Sequence, residues 1–311
     1  MKKSLKLSVT LCPSFPHFSQ FARDSRIEFV RLNSAQVSLF ELETELAIFE
    51  KTKNTCPMYF DVKARQPRIS KVTSFEDHYE IELNHPIQAK TPTPILFKAG
   101  VESALLMSIE DEGRRLVLSP YEPAESMIYE GESVHIRHPS YKMLGPVFTE
   151  VEKAKIERVR KAGFKKYFLS YVEAQSDIDE FFELVGTDSE VMLKIETEAG
   201  LRYALTQFKK KPNLTLVNAR GDLYVEINRP ARMPRITKEL LAADPEGVVG
   251  SRILLSTIHK TVADCVDFSE LAWLYDIGYR NMMLCDEMCT KEVLLSRAMS
   301  AFDEFRRDYV K

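Results

Sequence analysis

The sequence predicts an α/β protein, a (β/α)8 TIM barrel with a small β-rich lid domain inserted after strand 3. Three observations carry this. Eight short apolar runs alternate with longer segments of 3.6-residue periodicity. The alternation stops between residues 69 and 140, where short period-2 stretches are punctuated by prolines at 86, 92, 94, 120 and 123. The 311 residues, less that block, leave about 240 for eight βα units, a usual barrel size. The expected boundaries are 1–68 and 141–311 for the barrel and 69–140 for the insertion.

In chain order, strands are expected at 5–12, 27–32 and 57–62, with a helix over 38–53 whose Leu39, Leu42, Leu46 and Phe49 share one face. The insertion should hold strands at 78–83, 95–98, 103–109, 115–118 and 133–136. Beyond it, a charged helix covers 149–162. Strands follow at 167–172, 191–195, 214–217, 253–258 and 281–284, and helices near 176–184, 200–209, 237–242, 269–275 and 291–309. The pair Met282-Met283, near Trp273 and Tyr275, reads as barrel-to-helix packing.

Composition narrows the function. Lys and Arg number 43 against 46 Asp and Glu, a net charge of −3, so nothing points to nucleic acid or an anionic membrane as partner. The basic clusters at 158–166 and 209–211 read as solvated helix faces. Eleven glycines are about half the usual ~7%. With neither G-x-G-x-x-G nor G-x-x-x-x-G-K-[ST] present, a glycine-cradled nucleotide site is disfavoured. Five scattered cysteines without a C-x-x-C pair read as reduced, cytoplasmic thiols. The basic N-terminus lacks the apolar stretch of a signal peptide, and no window is long and apolar enough to span a membrane.

In a barrel, functional side chains sit at the C-terminal ends of the strands. Strand 2 ends in Arg31-Leu32-Asn33-Ser34 and strand 3 in Asp61-Val62-Lys63, with Arg65 and Arg68 beyond. Strand 5 ends in Lys194-Ile195-Glu196. Ala219-Arg220-Gly221-Asp222-Leu223 follows strand 6, Ser256-Thr257 with His259-Lys260 ends strand 7, and Cys285-Asp286-Glu287 ends strand 8. Side chains at i and i+2 of a strand share a face, so Lys194 and Glu196 point together. Two readings stay open: an internal ion pair, or a metal carboxylate beside an anion-binding lysine. Asp222, one strand over, would complete a two-carboxylate set suited to Mg²⁺ or Mn²⁺. Gly221 would bring backbone close to a ligand, and Arg31 and Lys194 would neutralise a phosphoryl group. His259 stands as an acid/base or a rim residue. His135 and His138, three apart, would face opposite sides of a strand and make no metal pair.

On these motifs the chain resembles the pyruvate kinase family. The K-I-E at 194–196 and the A-R-G-D-L at 219–223 carry most of the likeness; 31–34, 61–68, 256–258 and 283–287 support it in order and spacing. The resemblance implies a phosphotransferase acting on phosphoenolpyruvate and pyruvate with ADP or ATP. It implies that Glu196 and Asp222 hold Mg²⁺ or Mn²⁺, that Lys194 stabilises the transferring phosphoryl group and the enolate oxygen, and that Arg31 binds phosphate. Asn33, Ser34 and Asp61, with the Val62 carbonyl, would hold K⁺. Arg68, with Asn33, would meet the nucleotide, the Gly221 and Asp222 amides would hold the substrate carboxylate, and Thr257 would flank the enolate methylene.

The chain departs from the family pattern at Ala35-Gln36, Tyr224, Ile258-His259 and Cys285-Asp286. It stops after the eighth helix, where the family continues into a regulatory domain, and oligomeric assembly stays open. Two alternatives follow: a Mg²⁺-dependent pyruvate-enolate lyase or aldolase on the same barrel, or a catalytically reduced protein that binds phosphoenolpyruvate.

Overall fold

The computed structural model describes residues 4–52, 55–119 and 128–310; the expected prolines at 120 and 123 lie outside them. Strands β1 (Lys6–Thr10), β2 (Ile27–Asn33) and β3 (Met58–Val62) open the chain. Next come β4 (Ile69–Ser74), β5 (Tyr79–Leu83), β6 (Ile87–Gln88), β7 (Thr93–Phe97), β8 (Glu102–Glu110), β9 (Arg115–Leu118) and β10 (Lys142–Met143). Last are β11 (Lys166–Leu169), β12 (Glu190–Ile195), β13 (Leu214–Ala219), β14 (Val248–Gly250) and β15 (Asn281–Met283). The helices are α1 (Phe18–Phe21), α2 (Glu41–Thr52), α3 (Glu150–Lys161), α4 (Gln175–Val185), α5 (Glu198–Thr206), α6 (Arg220–Glu226), α7 (Met233–Ala243), α8 (Cys265–Ile277), α9 (Asp286–Cys289) and α10 (Glu292–Asp308).

Eight strands close into a parallel barrel in the order β1, β15, β14, β13, β12, β11, β3, β2. Parity explains what each side carries. Val30, Leu32, Phe60, Val62, Tyr167, Leu169, Leu193 and Ile195 face outward and join Ile156, Ile178, Phe181, Leu240, Leu274 and Phe302 of the helices in one apolar core. The alternate residues face inward. Phe29, Tyr59, Phe168, Met192, Val217, Val248 and Met283 form a separate layer inside the barrel. Its rings touch edge to face and tilted, Phe29 to Tyr59 at 4.9 Å and Tyr59 to Phe168 at 5.6 Å between centroids. Two residues further along the same strands stand Arg31, Asp61, Ser170 and Lys194: the inward face turns from apolar to charged one layer up.

Between β3 and β11 the chain builds an antiparallel five-stranded sheet, β4-β5-β9-β8-β7, and a two-stranded pair β6-β10. Ile81, Leu83, Ile95, Phe97, Leu106 and Leu116 form its own apolar cluster. The antiparallel pairing runs to Met143, three residues past the expected boundary.

The seventh barrel strand is a correction. It lies at Val248–Gly250, not at 253–258. The apolar run Ile253-Leu254 is fully buried in a turn, with Ser251, Arg252 and Leu254 at positive φ, and 255–258 is a short 3-10 helix. A short apolar run is shared by buried turns and strands, and periodicity alone does not separate them. Likewise, 133–136 makes only isolated bridges, Arg68 to Ser133 and Leu96 to His135. Met283 faces the barrel interior rather than the helices. Among the described residues no helix is long and apolar enough to cross a membrane, and all five cysteines are unpaired.

Candidate functional site

The C-terminal end of the barrel opens into a cavity of about 800 Å³ between the strand ends and the insertion. Arg31, Asn33, Lys63, Lys194, Glu196 and Asp222 line the barrel side; Arg68, Lys98, Tyr129 and Ser133 line the other. Six of the residues expected to bind metal, substrate or nucleotide thus meet here: Arg31, Asn33, Arg68, Lys194, Glu196 and Asp222.

Asp61 sits beneath the floor, fully buried, and organises it. Its Oδ2 accepts from Lys63 Nζ at 2.8 Å and Arg31 Nη1 at 3.1 Å, its Oδ1 accepts from Ser170 Oγ at 3.0 Å, and Lys194 Nζ lies 3.6 Å away. Burial alone would raise this carboxyl; Lys194, Lys63 and Arg31 outweigh it and hold it well below the usual range. Lys194 donates to Ser170 Oγ at 2.9 Å and lies 2.8 Å from Glu196 Oε1. Burial opposes its charge, but Asp61 and Glu196 prevail and raise it.

Glu196 is fully buried. Its Oε2 accepts from the Tyr171 amide at 2.8 Å, which Tyr171 presents from a left-handed backbone. Its Oε1 makes no well-formed hydrogen bond, though Lys194 Nζ lies 2.8 Å from it. Burial, and the facing Asp222 carboxyl, raise Glu196 to about 7 against the pull of Lys194. Asp222 goes the other way: burial opposes ionisation, but His135 and Lys194 hold it low.

These residues fit a divalent cation. An orphaned, buried carboxylate oxygen facing a second carboxylate is a donor set for a hard dication that keeps several water or substrate oxygens. Among the described residues no group of three or more His, Cys, Asp or Glu gathers around one point, so the protein would supply two ligands.

Most of the expected K⁺ ligands already carry internal contacts. Asp61 already takes the Lys63 ammonium, Arg31 and Ser170. Asn33 is spent, its Oδ1 on the Ala35 amide at 3.1 Å and its Nδ2 on Asp286 at 3.0 Å. The Ser34 carbonyl accepts from Lys155 Nζ at 2.8 Å, and the Val62 carbonyl accepts from the Ser170 amide at 2.9 Å. Internal donors thus engage Asp61, Asn33 Oδ1 and the Val62 carbonyl.

Two further expected residues lie outside the cavity lining. Thr257 is off the cavity wall and fully buried, its hydroxyl donating to the Leu254 carbonyl at 2.7 Å, because the strand expected to deliver it is a turn. Gly221 is also off the wall; it packs on Ser251, where a Cβ would sit 3.2 Å from the hydroxyl oxygen. Arg220 is structural: it donates to the Ser251 carbonyl at 2.7 Å and pairs with Glu270 at 2.7 Å.

Arg31 is committed inside the protein. Its Nε donates to Thr10 Oγ1 at 2.9 Å, its Nη1 to Asp61, and its Nη2 to Asp286 Oδ2 at 2.6 Å. A second group was not evident in sequence. His135 of the insertion is fully buried, its Nδ1 2.6 Å from Glu226 Oε1 of α6 and its Nε2 3.1 Å from Ser133 Oγ and 3.8 Å from Asp222. Burial would lower this imidazole; Glu226 and Asp222 raise it instead. Ser133 and His135 carry the i, i+2 spacing of an extended segment, a readable signal; Glu226, 91 residues on, carries none.

No family model matches this chain, and no curated protein matches it.

Proposed function

We propose that the protein is a pyruvate kinase-like phosphotransferase, a (β/α)8 barrel whose insertion closes over the cavity, moving a phosphoryl group between phosphoenolpyruvate and ADP. The observation that carries this is Lys194: a buried ammonium paired with the Glu196 carboxylate and near Asp222, at the C-terminal end of a closed barrel. Glu196 and Asp222 would hold Mg²⁺ or Mn²⁺, which when bound would offset the charge of the phosphoryl and enolate oxygens. Lys194 lies where it would stabilise the bridging oxygen as the P–O bond breaks and the enolate forms. Its ammonium is kept charged by Asp61 and fixed in direction by Ser170, so little reorganisation is needed. Arg68, fixed by Gln66 and the Gly131 carbonyl, would meet nucleotide phosphates from the insertion side. The Asp61 cluster holds Lys194 and Arg31 in place.

A coupled assay with phosphoenolpyruvate, ADP and Mg²⁺ tests this. Turnover at least 100-fold above Lys194→Met, with that variant folded, is expected; equal rates would sink the reading.

A second reading, the Mg²⁺-dependent pyruvate-enolate lyase or aldolase, is favoured by one observation: Arg31 and Asn33 are both turned onto Asp286, which weakens the phosphate and nucleotide side while leaving the enolate side whole. Exchange of pyruvate methyl protons without nucleotide, lost in Glu196→Gln, would select it over phosphoryl transfer.

A further inference from the structure

We infer that Tyr171 is a positioning residue: it ties the seating of the insertion on α6 to the placing of the Glu196 carboxylate. The inference rests on the reading of Glu196 and Asp222 as dication ligands and extends it to a residue that would touch neither metal nor substrate.

Tyr171 follows Ser170 just past the end of β11. The extended backbone stops there, with φ at +52°. A bulky residue rarely takes the left-handed region, and it stays there only where its surroundings over-determine it. Both polar ends of Tyr171 are engaged. Its amide donates to Glu196 Oε2 at 2.8 Å. Its hydroxyl donates to Glu226 Oε1 at 3.3 Å and lies 3.5 Å from His135 Nδ1. The residue is 4% exposed, yet it joins neither the apolar core, nor the layer inside the barrel, nor the cluster of the insertion. Its polar contacts, more than its packing, set it apart.

Glu226 is where the insertion grips the barrel. Its Oε1 stands 2.6 Å from His135 Nδ1. Arg137 of the insertion donates to the Tyr224 carbonyl at 2.7 Å and to the Val225 carbonyl. The same helix, α6, carries Asp222 one turn ahead of Glu226, and residues four apart share a helix face. The insertion thus holds one carboxylate of the pair through α6. Tyr171, bonded to both Glu226 and Glu196, carries that hold across to the other. Such coupling is reciprocal. Whatever seats the insertion favours the dication, and the dication favours seating by the same factor.

Mn²⁺ alone is the probe, titrated into the full chain without nucleotide or substrate and followed by electron paramagnetic resonance and amide exchange. The wild-type protein should bind it and, once loaded, exchange more slowly at residues 128–137 as well as in α6. Tyr171→Phe keeps the ring and removes only the hydroxyl. It should bind Mn²⁺ at least threefold more weakly and lose the slowing at 128–137. Tyr171 and Glu226 act through one contact, so Tyr171→Phe combined with Glu226→Gln should bind no more weakly than the weaker single variant. A ring that served packing alone would move thermal stability and none of these readings. Should Tyr171→Phe fail to fold, the slowing at 128–137 in the wild-type protein decides the matter. A loss of less than threefold, multiplying losses in the double variant, or Mn²⁺ binding without slowing at 128–137 overturns the inference and leaves the dication reading standing. No Mn²⁺ binding by the wild-type protein overturns both.

Discussion

Arg31 of β2 and Asp286 at the start of α9 are joined at 2.6 Å between Nη2 and Oδ2, on the two sides of β1 and from opposite ends of the chain. Asn33 and Gln36 donate to the other oxygen of the same carboxylate, at 3.0 and 3.2 Å. Asp286 thereby occupies the arginine that an incoming anion would need. Asp286→Asn should leave Arg31 with Asp61 and Thr10 alone. Oxalate or phosphoenolpyruvate should then bind about tenfold tighter by calorimetry, a gain of about 1.4 kcal/mol. The variant should lose about 1–2 kcal/mol of stability, because a part-buried charge-assisted bond is weakened. Weaker anion binding would show that Asp286 supports the ligand instead of competing with it.

Glu196 makes the unliganded protein sensitive to pH. Its folded-state value of about 7 lies above the ordinary 4.5, so the folded state favours the protonated form. That stabilising contribution is whole below about 4.5 and is lost as pH rises through about 7. The loss is about 3 kcal/mol at 1.36 kcal/mol per pH unit. In EDTA, thermal unfolding of the wild-type protein should worsen over this window, while Glu196→Gln should lose distinctly less. Parallel profiles would remove Glu196 as the cause. The same variant should lose Mn²⁺ binding.

His135 works with the opposite contact and the same sign. It joins the insertion to α6 through Glu226, and its folded-state value is raised above the usual histidine range. The bond therefore stabilises fully below about 6.5 and fades as pH climbs past the folded value. His135→Asn should cost roughly 3 kcal/mol at pH 5.5, as breaking a buried pair does, and distinctly less at pH 9. Amide exchange should quicken in α6 and in residues 128–137 together. A deficit independent of pH would mean that the ring matters only for packing.

The charged layer was legible where strand parity alone decides: Lys194 and Glu196 two apart on β12, Arg31 and Asn33 on β2. Asp222 was legible because a short motif places it one strand over. Parity would equally have paired Asp61 with Lys63, but the strand-end tally gave no sign of how many cations share that one carboxylate. The Arg31–Asp286 bond depends on β15 closing onto β1 beside β2, a long-range fact that local pattern does not contain. Thr257 was misplaced for a different reason. Ile253 and Leu254 are as apolar as any strand, yet their backbone turns through positive φ, and apolarity says nothing of dihedral angle.

The misplacement has its own measurable consequence. Thr257 is a structural hydroxyl, bonded to the Leu254 carbonyl and away from the cavity. Thr257→Val keeps the shape and removes the bond, so it should cost about 1 kcal/mol in denaturant unfolding. Oxalate affinity should stay within twofold of wild type. A large loss of affinity with unchanged stability would return Thr257 to the site.

The apolar layer beneath the cavity sets the strength of the charges above it. Phe168 is fully buried among Phe29, Tyr59 and Met192, and the next inward residue on its strand side is Ser170, the hydroxyl shared by Asp61 and Lys194. Phe168→Ala should cost about 3–5 kcal/mol from lost burial and the void left behind. It should also weaken oxalate binding, although Phe168 touches no ligand. A void under Asp61 would let water reach that carboxylate, raise the local dielectric and soften the hold on Lys194. Phe168→Leu, which fills most of the space, should recover much of both losses. If stability recovers in Phe168→Leu while affinity does not, the ring itself orients Ser170; if affinity never falls in Phe168→Ala, the layer carries the fold alone.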